Sequence, residues 1–170
     1  MRIRLLAFAL FLFSCVLGNA YAQVEKGDVR LGGSFQLEAF EDETNIDLEF
    51  GSGRLLSNNF EIGILLAVIR KVNTYYYRRV GGIAIYHFQP KKKMVSGIGL
   101  SVSRTLGYPK KFTVDNNSWI FYLFYNADAF ISASCALNLR AGYERWKGGW
   151  GHAGGFVTRI GIAYFWKQGR

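Results

Sequence analysis

The chain has 170 residues and carries 21 Lys and Arg against 12 Asp and Glu, a net charge of +9; that is about one domain's worth of sequence. Aromatic residues make up 16%, glycine numbers 20 and proline only two. This balance excludes a disordered chain, which is poor in aromatics, and suits one made mostly of strands.

The first 22 residues do not read as fold. Arg2 and Arg4 form a positive start, Leu5 to Phe13 is an unbroken apolar run, and Ala20-Tyr21-Ala22 places small residues before Gln23. This is the pattern of a secretory signal peptide. The apolar run is too short for a membrane helix, which needs about 20 residues. Leu12-Phe13-Ser14-Cys15 loosely resembles a lipoprotein box, but Phe13 fits it poorly. The expected organisation is a signal over residues 1–22 and one domain over residues 23–170. Without Arg2 and Arg4 the basic count falls to 19 against 12 acidic, a charge of +7. Cys135 is then the one remaining thiol, so no internal disulfide forms.

From Gln23 onward, charges or turn residues interrupt every apolar stretch before about 18 residues, the length that would signal a membrane helix. Alternation with period two repeats instead, in eight segments of a length suited to tilted membrane strands. The first, Asp28 to Phe40, sets Val29, Leu31, Phe35, Leu37 and Ala39 against Arg30, Ser34, Gln36 and Glu38. The second, Asn45 to Leu56, sets Ile46, Leu48 and Phe50 against Asn45, Asp47 and Glu49. Ser57-Asn58-Asn59 reads as a turn. The third, Phe60 to Arg70, has Ile62, Ile64, Leu66 and Val68 on one face, while Leu65 and Ile69 interrupt the polar one. The fourth, Tyr75 to Phe88, has two competing phases: Tyr76, Val80, Ala84, Tyr86 and Phe88, or Tyr75, Tyr77, Ile83 and Ile85. The fifth is Met94 to Arg104, followed by a loop from Leu106 to Ser118 that holds Gly107, Pro109, Asp115 and Asn116. The sixth, Trp119 to Phe130, is strongly aromatic. The seventh, Cys135 to Trp146, is followed by a Gly-rich loop over Lys147 to Gly154. The eighth runs from Gly155 to Trp166. Pro90 and Pro109 both fall between segments, as a hydrogen-bonded ladder requires.

These segments predict an all-β fold, an eight-stranded antiparallel up-and-down transmembrane barrel. Aromatics crowd the strand ends (Tyr75, Tyr76, Tyr77, Trp119, Tyr143, Trp146, Tyr164 and Trp166), as in the girdles of membrane barrels. Isolated charges lie on the non-lipid faces: Arg30, Glu38, Asp47, Glu49, Glu61, Arg140, Glu144 and Arg159. In so narrow a barrel they are expected to pair as a polar network that plugs the lumen, because an unpaired buried charge is too costly. An even strand number puts both termini on one side. With those termini periplasmic, the outer connections are Glu41–Thr44, Lys71–Thr74, Leu106–Ser118 and Lys147–Gly154.

The rhythm of Gln23 to Arg170 resembles the small eight-stranded outer-membrane β-barrel proteins, particularly the outer membrane protein beta-barrel domain family common in Bacteroidetes. The most specific part is Arg159-x-Gly161-x-x-Tyr164-x-Trp166, which looks like the C-terminal signal read by the barrel-assembly machinery. Lys167 to Arg170 depart from it, since such signals usually end at the aromatic. The resemblance implies residence in the cell outer membrane, outer-membrane lipid as surroundings, and Gly161, Tyr164 and Trp166 as assembly determinants.

The chain offers no catalytic set. Catalysis by His needs a Ser or carboxylate within hydrogen-bond reach, and the predicted topology separates His87, near the periplasmic end of the fourth strand, from His152 in the last outer loop. His87 is expected at the membrane interface and His152 in solvent. No ligand spacing for a metal exists and no cofactor is implied. Arg70, Lys71, Lys110, Lys111, Arg145 and Lys147 gather toward the outer face and are expected to contact phosphates of the surface lipid. Nucleic acid is not an expected partner. The expected role is structural or surface-interacting and non-enzymatic, with the surface ligand open. The alternatives are a lipid-modifying barrel enzyme and a soluble periplasmic barrel that binds an apolar ligand.

Overall fold

The computed structural model describes residues 24–40, 43–71, 75–88, 93–106, 118–148 and 151–167. The expected signal segment lies outside them. The strands are β1 (Val29–Phe40), β2 (Glu43–Leu55), β3 (Phe60–Lys71), β4 (Tyr75–His87), β5 (Met94–Leu106), β6 (Ser118–Phe130), β7 (Cys135–Gly148) and β8 (Gly151–Trp166). Each pairs antiparallel with its sequence neighbour, and β8 returns to β1, closing an eight-stranded barrel.

The register fixes the barrel's shape. Followed from strand to strand, Val29 leads through Arg54, Ile62, Ala84, Leu100, Leu123 and Tyr143 to Phe156. Val29 itself pairs with Trp166, ten residues further along β8. That stagger, with the usual rise and strand spacing, tilts the strands by roughly 40°. A tilted strand of this length climbs about 30 Å, enough to cross an apolar band about 25 Å tall. The β1–β8 seam is the shortest: it joins seven residue pairs, Val29 to Phe35, where the other neighbours share ten to fourteen.

Both described chain ends lie at one rim, here termed the terminal end. The chain reverses there at residues 56–59, 88–93 and 131–134. At the opposite loop end the connections are residues 41–42, 72–74, 107–117 and 149–150. The expected loop Lys147–Gly154 is therefore corrected. β7 continues to Gly148 and β8 begins at Gly151, with Lys147 facing His152 across the ladder. Glycines that read as loop instead extend a two-stranded ribbon, because pairing backbone to backbone needs no side chain.

Alternation is inverted relative to a water-soluble barrel. Leu31, Leu48, Phe50, Ile64, Leu66, Leu100, Leu123, Ile160 and Ile162 all point outward and are exposed. Asp47, Glu49, Glu61, Arg79, Asp128, Arg140, Glu144 and Arg159 point inward and are buried. The two phases that compete in β4 are settled by closure: Val80 and Tyr86 face out, Ile83 and Ile85 face in. Leu65, which interrupts the polar face of β3, joins Ile83, Ile85, Tyr122, Phe124 and Val157 in an apolar cluster inside the lumen. The Phe124 ring occupies the space a Cβ at Gly99 would take, so the glycine lets a large ring fit a narrow interior. At the terminal end Val24, Leu55, Val95, Phe130, Ala136, Ala163 and Phe165 form a second apolar layer across the barrel, with the Phe130 and Phe165 rings 5.1 Å apart.

Candidate functional site: the charged lumen

Above the terminal apolar layer lies a first tier of polar side chains. Arg30 donates to Asp128 at 3.1 Å and lies 3.7 Å from Glu61. Asn126 and Asn138 each donate to Asp128 at 2.8 Å, and Asn138 also donates to Asn126 at 2.9 Å. His87 Nε2 is 3.0 Å from Glu61 Oε2. The expectation of an interfacial His87 is corrected: its side chain is fully buried in the lumen. The cause is strand phase, since His87 shares the inward face of β4 with Arg79, Ile83 and Ile85.

A second tier lies nearer the loop end. Glu49 accepts from Arg79 at 2.7 Å and from Arg140 at 2.6 Å. Arg79 also reaches Asp47 at 3.2 Å and lies 3.6 Å from Glu144. Arg159 donates to Glu144 and reaches Asp47 at 3.4 Å. Trp146 Nε1 donates to Glu144 at 2.7 Å. Three guanidinium groups thus meet three carboxylates, and the tier is neutral as charged groups. Aromatic rings also flank the cations: Arg159 stands 4.4 Å from the Tyr122 ring centroid and Arg140 5.3 Å from that of Phe124. Charge-assisted bonds of this kind are the stronger class, and charges buried this deeply need such pairing. Between the tiers, Arg30, Glu49, Glu61 and Arg140 border a cavity of about 10 Å³, room for about one water molecule.

Of the eight residues expected inside, Arg30, Asp47, Glu49, Glu61, Arg140, Glu144 and Arg159 meet in these tiers. The side chain of Glu38 lies outside the described residues. Sequence reasoning missed Arg79, Asp128, His87 and Asn126, while Asn138 follows from the β7 alternation that it shares with Arg140 and Glu144. Asn126-x-Asp128 does continue the inward phase of Ser118, Ile120, Tyr122 and Phe124, so a phase assignment for β6 would have found it. Arg79 is hidden by the doublet Arg78-Arg79, of which one member points out and the other in.

Gly161, Tyr164 and Trp166 lie in the seven-residue stretch of β8 that pairs with β1, opposite Ser34, Leu31 and Val29. Tyr164 and Trp166 are exposed on the outer wall. Gly161 packs against Gly33 O and Ser34 Cα, where a Cβ would collide with backbone. Arg145 and Lys147 are exposed near the loop end of β7. The side chains of Arg70 and Lys71, and the whole of Lys110 and Lys111, lie outside the described residues. Among the described residues no group of three or more His, Cys, Asp and Glu is placed to hold a metal ion.

No known sequence family and no curated protein matches the chain. Its fold is similar to solved structures. The N-terminal β-barrel domain of OprF from Pseudomonas aeruginosa aligns with a TM-score of 0.61 at 9% identity, over 84% of this chain and 99% of that one. The outer membrane protein OprG from the same organism aligns with a TM-score of 0.55 at 10% identity, over 85% of this chain and 98% of that one. The fold is that of the small eight-stranded outer-membrane β-barrels.

Proposed function

We propose that the chain is a non-enzymatic integral protein of the cell outer membrane, with a structural or surface-interaction role and a lumen plugged by its own side chains. One observation carries this reading: the wall is apolar where it meets its surroundings, while paired Arg and carboxylate groups fill the inside. A water-soluble barrel that binds an apolar ligand would need the opposite polarity. Within the class, strand rhythm and the β8 pattern favour the Bacteroidetes-type beta-barrel domain. The position of Gly161, Tyr164 and Trp166 along the shortest seam supports their reading as determinants for the assembly machinery, since that edge is free until the barrel closes.

The plug is supported by the density of pairing. Arg30, Arg79, Arg140 and Arg159 each have a carboxylate within 3.2 Å, and the terminal apolar layer lies beneath them. A lipid-modifying enzyme needs a His and its partner on a surface that lipid can reach. His87 and Glu61 do meet, but both are buried in the lumen, which favours a structural role for the pair.

Two measurements test the reading. Purified protein folded into vesicles is expected to remain with the membrane and to migrate faster unboiled than boiled on a denaturing gel. In a planar bilayer it is expected to give no steady conductance. Free solubility of residues 23–170 without detergent would overturn the membrane assignment, and a stable single-channel current would overturn the plug.

A further inference from the structure

Among the described strand side chains, the outer wall carries no Asp or Glu. Its charges are Arg54, Arg78, Arg104, Arg145 and Lys147, all cationic and all exposed. No carboxylate pairs with any of these five among the described residues. Arg54 lies at the terminal end of β2, and the other four lie toward the loop end of β4, β5 and β7.

The register places those four together. Arg104 faces Trp119 on β6, Trp119 faces Lys147 on β7, and Arg145 faces Phe121. Arg78 faces Leu106, two residues beyond Arg104. With the strands tilted, each residue climbs about 2.5 Å along the axis and each in-register step toward β8 climbs about 3 Å. Arg78, Arg104 and Arg145 then stand within about 2 Å of one height, with Trp119 just above them and Lys147 about 5 Å above Arg145. On β5 the outward residues from Met94 to Val102 carry no charge, and the climb from Met94 to Arg104 is about 25 Å, the height of the apolar band of such barrels. A cation on the lipid-facing wall is costly at the midplane and tolerated near the interface, so this row sits at headgroup level. Arg104 and Arg145 are two strands apart, about 10 Å, close enough for their guanidinium groups to converge on one anion. The Arg104 guanidinium already lies 5.8 Å from the Trp119 ring centroid.

We propose that Arg78, Arg104, Arg145 and Lys147, with Trp119, form a binding site on the β4–β7 wall for a lipid headgroup bearing phosphates that no amine of its own neutralises. Guanidinium forks match phosphate oxygens in pairs, and an indole ring settles at the depth where headgroup meets chain. A choline lipid offers a phosphate already balanced by its ammonium, so it leaves the four cations unpaired. The site rests on the membrane assignment above, and it gives that assignment a lipid partner.

The test uses residues 23–170 folded into phosphatidylcholine nanodiscs doped with a minor fraction of bis-phosphorylated lipid A. The ratio of lipid A to phosphatidylcholine retained after detergent extraction is read by mass spectrometry. A cation near an anionic surface is worth roughly a fivefold gain, so enrichment of about tenfold or more over the doped ratio is expected. The R78Q/R104Q/R145Q/K147Q variant should lose it, and R54Q, at the other end, should keep it. If the quadruple variant lacks the heat shift of a folded barrel, R104Q/R145Q is read in its place. Equal enrichment in wild type and in the folded variant overturns the site. So does an absence of enrichment in wild-type protein that has inserted and shows the heat shift. Loss of enrichment on adding millimolar inorganic phosphate overturns the lipid as the ligand and leaves a free-anion site. Failure of the wild type to insert overturns the membrane assignment itself.

Discussion

Glu49 is the point at which the lumen network is most exposed to a single change. It accepts the closest bonds of both Arg79 and Arg140. Arg79 keeps Asp47 at 3.2 Å and Glu144 at 3.6 Å if Glu49 is neutralised. Among the described residues Arg140 has no second carboxylate within 4 Å. Glu49→Gln keeps the shape but leaves the buried Arg140 guanidinium without a counter-charge and weakens the shells of Arg79 and of Arg159, which lies 3.9 Å from Glu49. Breaking a buried pair from one side costs roughly 3–5 kcal/mol, a large share of the 5–15 kcal/mol that holds a typical domain folded. Removing both partners is different in kind. In Glu49→Met with Arg140→Met the uncompensated charge disappears with its partner, and such a swap is often close to neutral. The double variant should therefore lose less than the two single variants together, with a coupling on the order of 2 kcal/mol. Equilibrium unfolding by guanidinium chloride in vesicles, followed by tryptophan fluorescence and by the gel shift of folded barrel, measures all four corners of the cycle. A single-variant cost below about 1 kcal/mol, or corners additive to within about 0.5 kcal/mol, would show that the tier is not the mutually dependent cluster its geometry describes.

Leu100 points outward near mid-height of the wall, so Leu100→Arg should cost about 2–4 kcal/mol in a bilayer; a neutral result would mean that this face does not meet hydrocarbon. Gly161→Ala sets a methyl against Gly33 O and Ser34 Cα and should lower the yield of heat-shifted barrel. Gly155→Ala, with no atom within 4 Å of the added carbon, is the matched control, and equal yields would refute the steric argument. Phe165→Ala removes a fully buried ring from the terminal layer, and a loss of roughly 3–5 kcal/mol is expected in the same unfolding assay.

Strand number and most strand limits were legible in the chain because period-two alternation survives wherever one face is apolar and the other polar. Legibility failed where that contrast faded. In β4 both faces carry large apolar residues, so neither Arg79 nor His87 could be given a side. In β6 the inward face mixes Ile120, Tyr122 and Phe124 with Asn126 and Asp128, and aromatic content masked the polar pair. Lys147 to Gly154 read as loop because glycine weakens both strand propensity and alternation, yet Lys147 and Gly148 pair with His152 and Gly151 as ladder.

The amino-acid order alone determined which residues share a face, since successive side chains on an extended chain must point to opposite sides. It could not determine which face looks inward, nor who meets whom across the lumen. Arg30 finds Asp128 across 98 residues of sequence and Arg159 finds Asp47 across 112. Those partnerships exist because a ten-residue stagger closes the sheet at one radius and brings distant strands to one height. Closure is a property of the whole ladder, and no local stretch of the chain contains it.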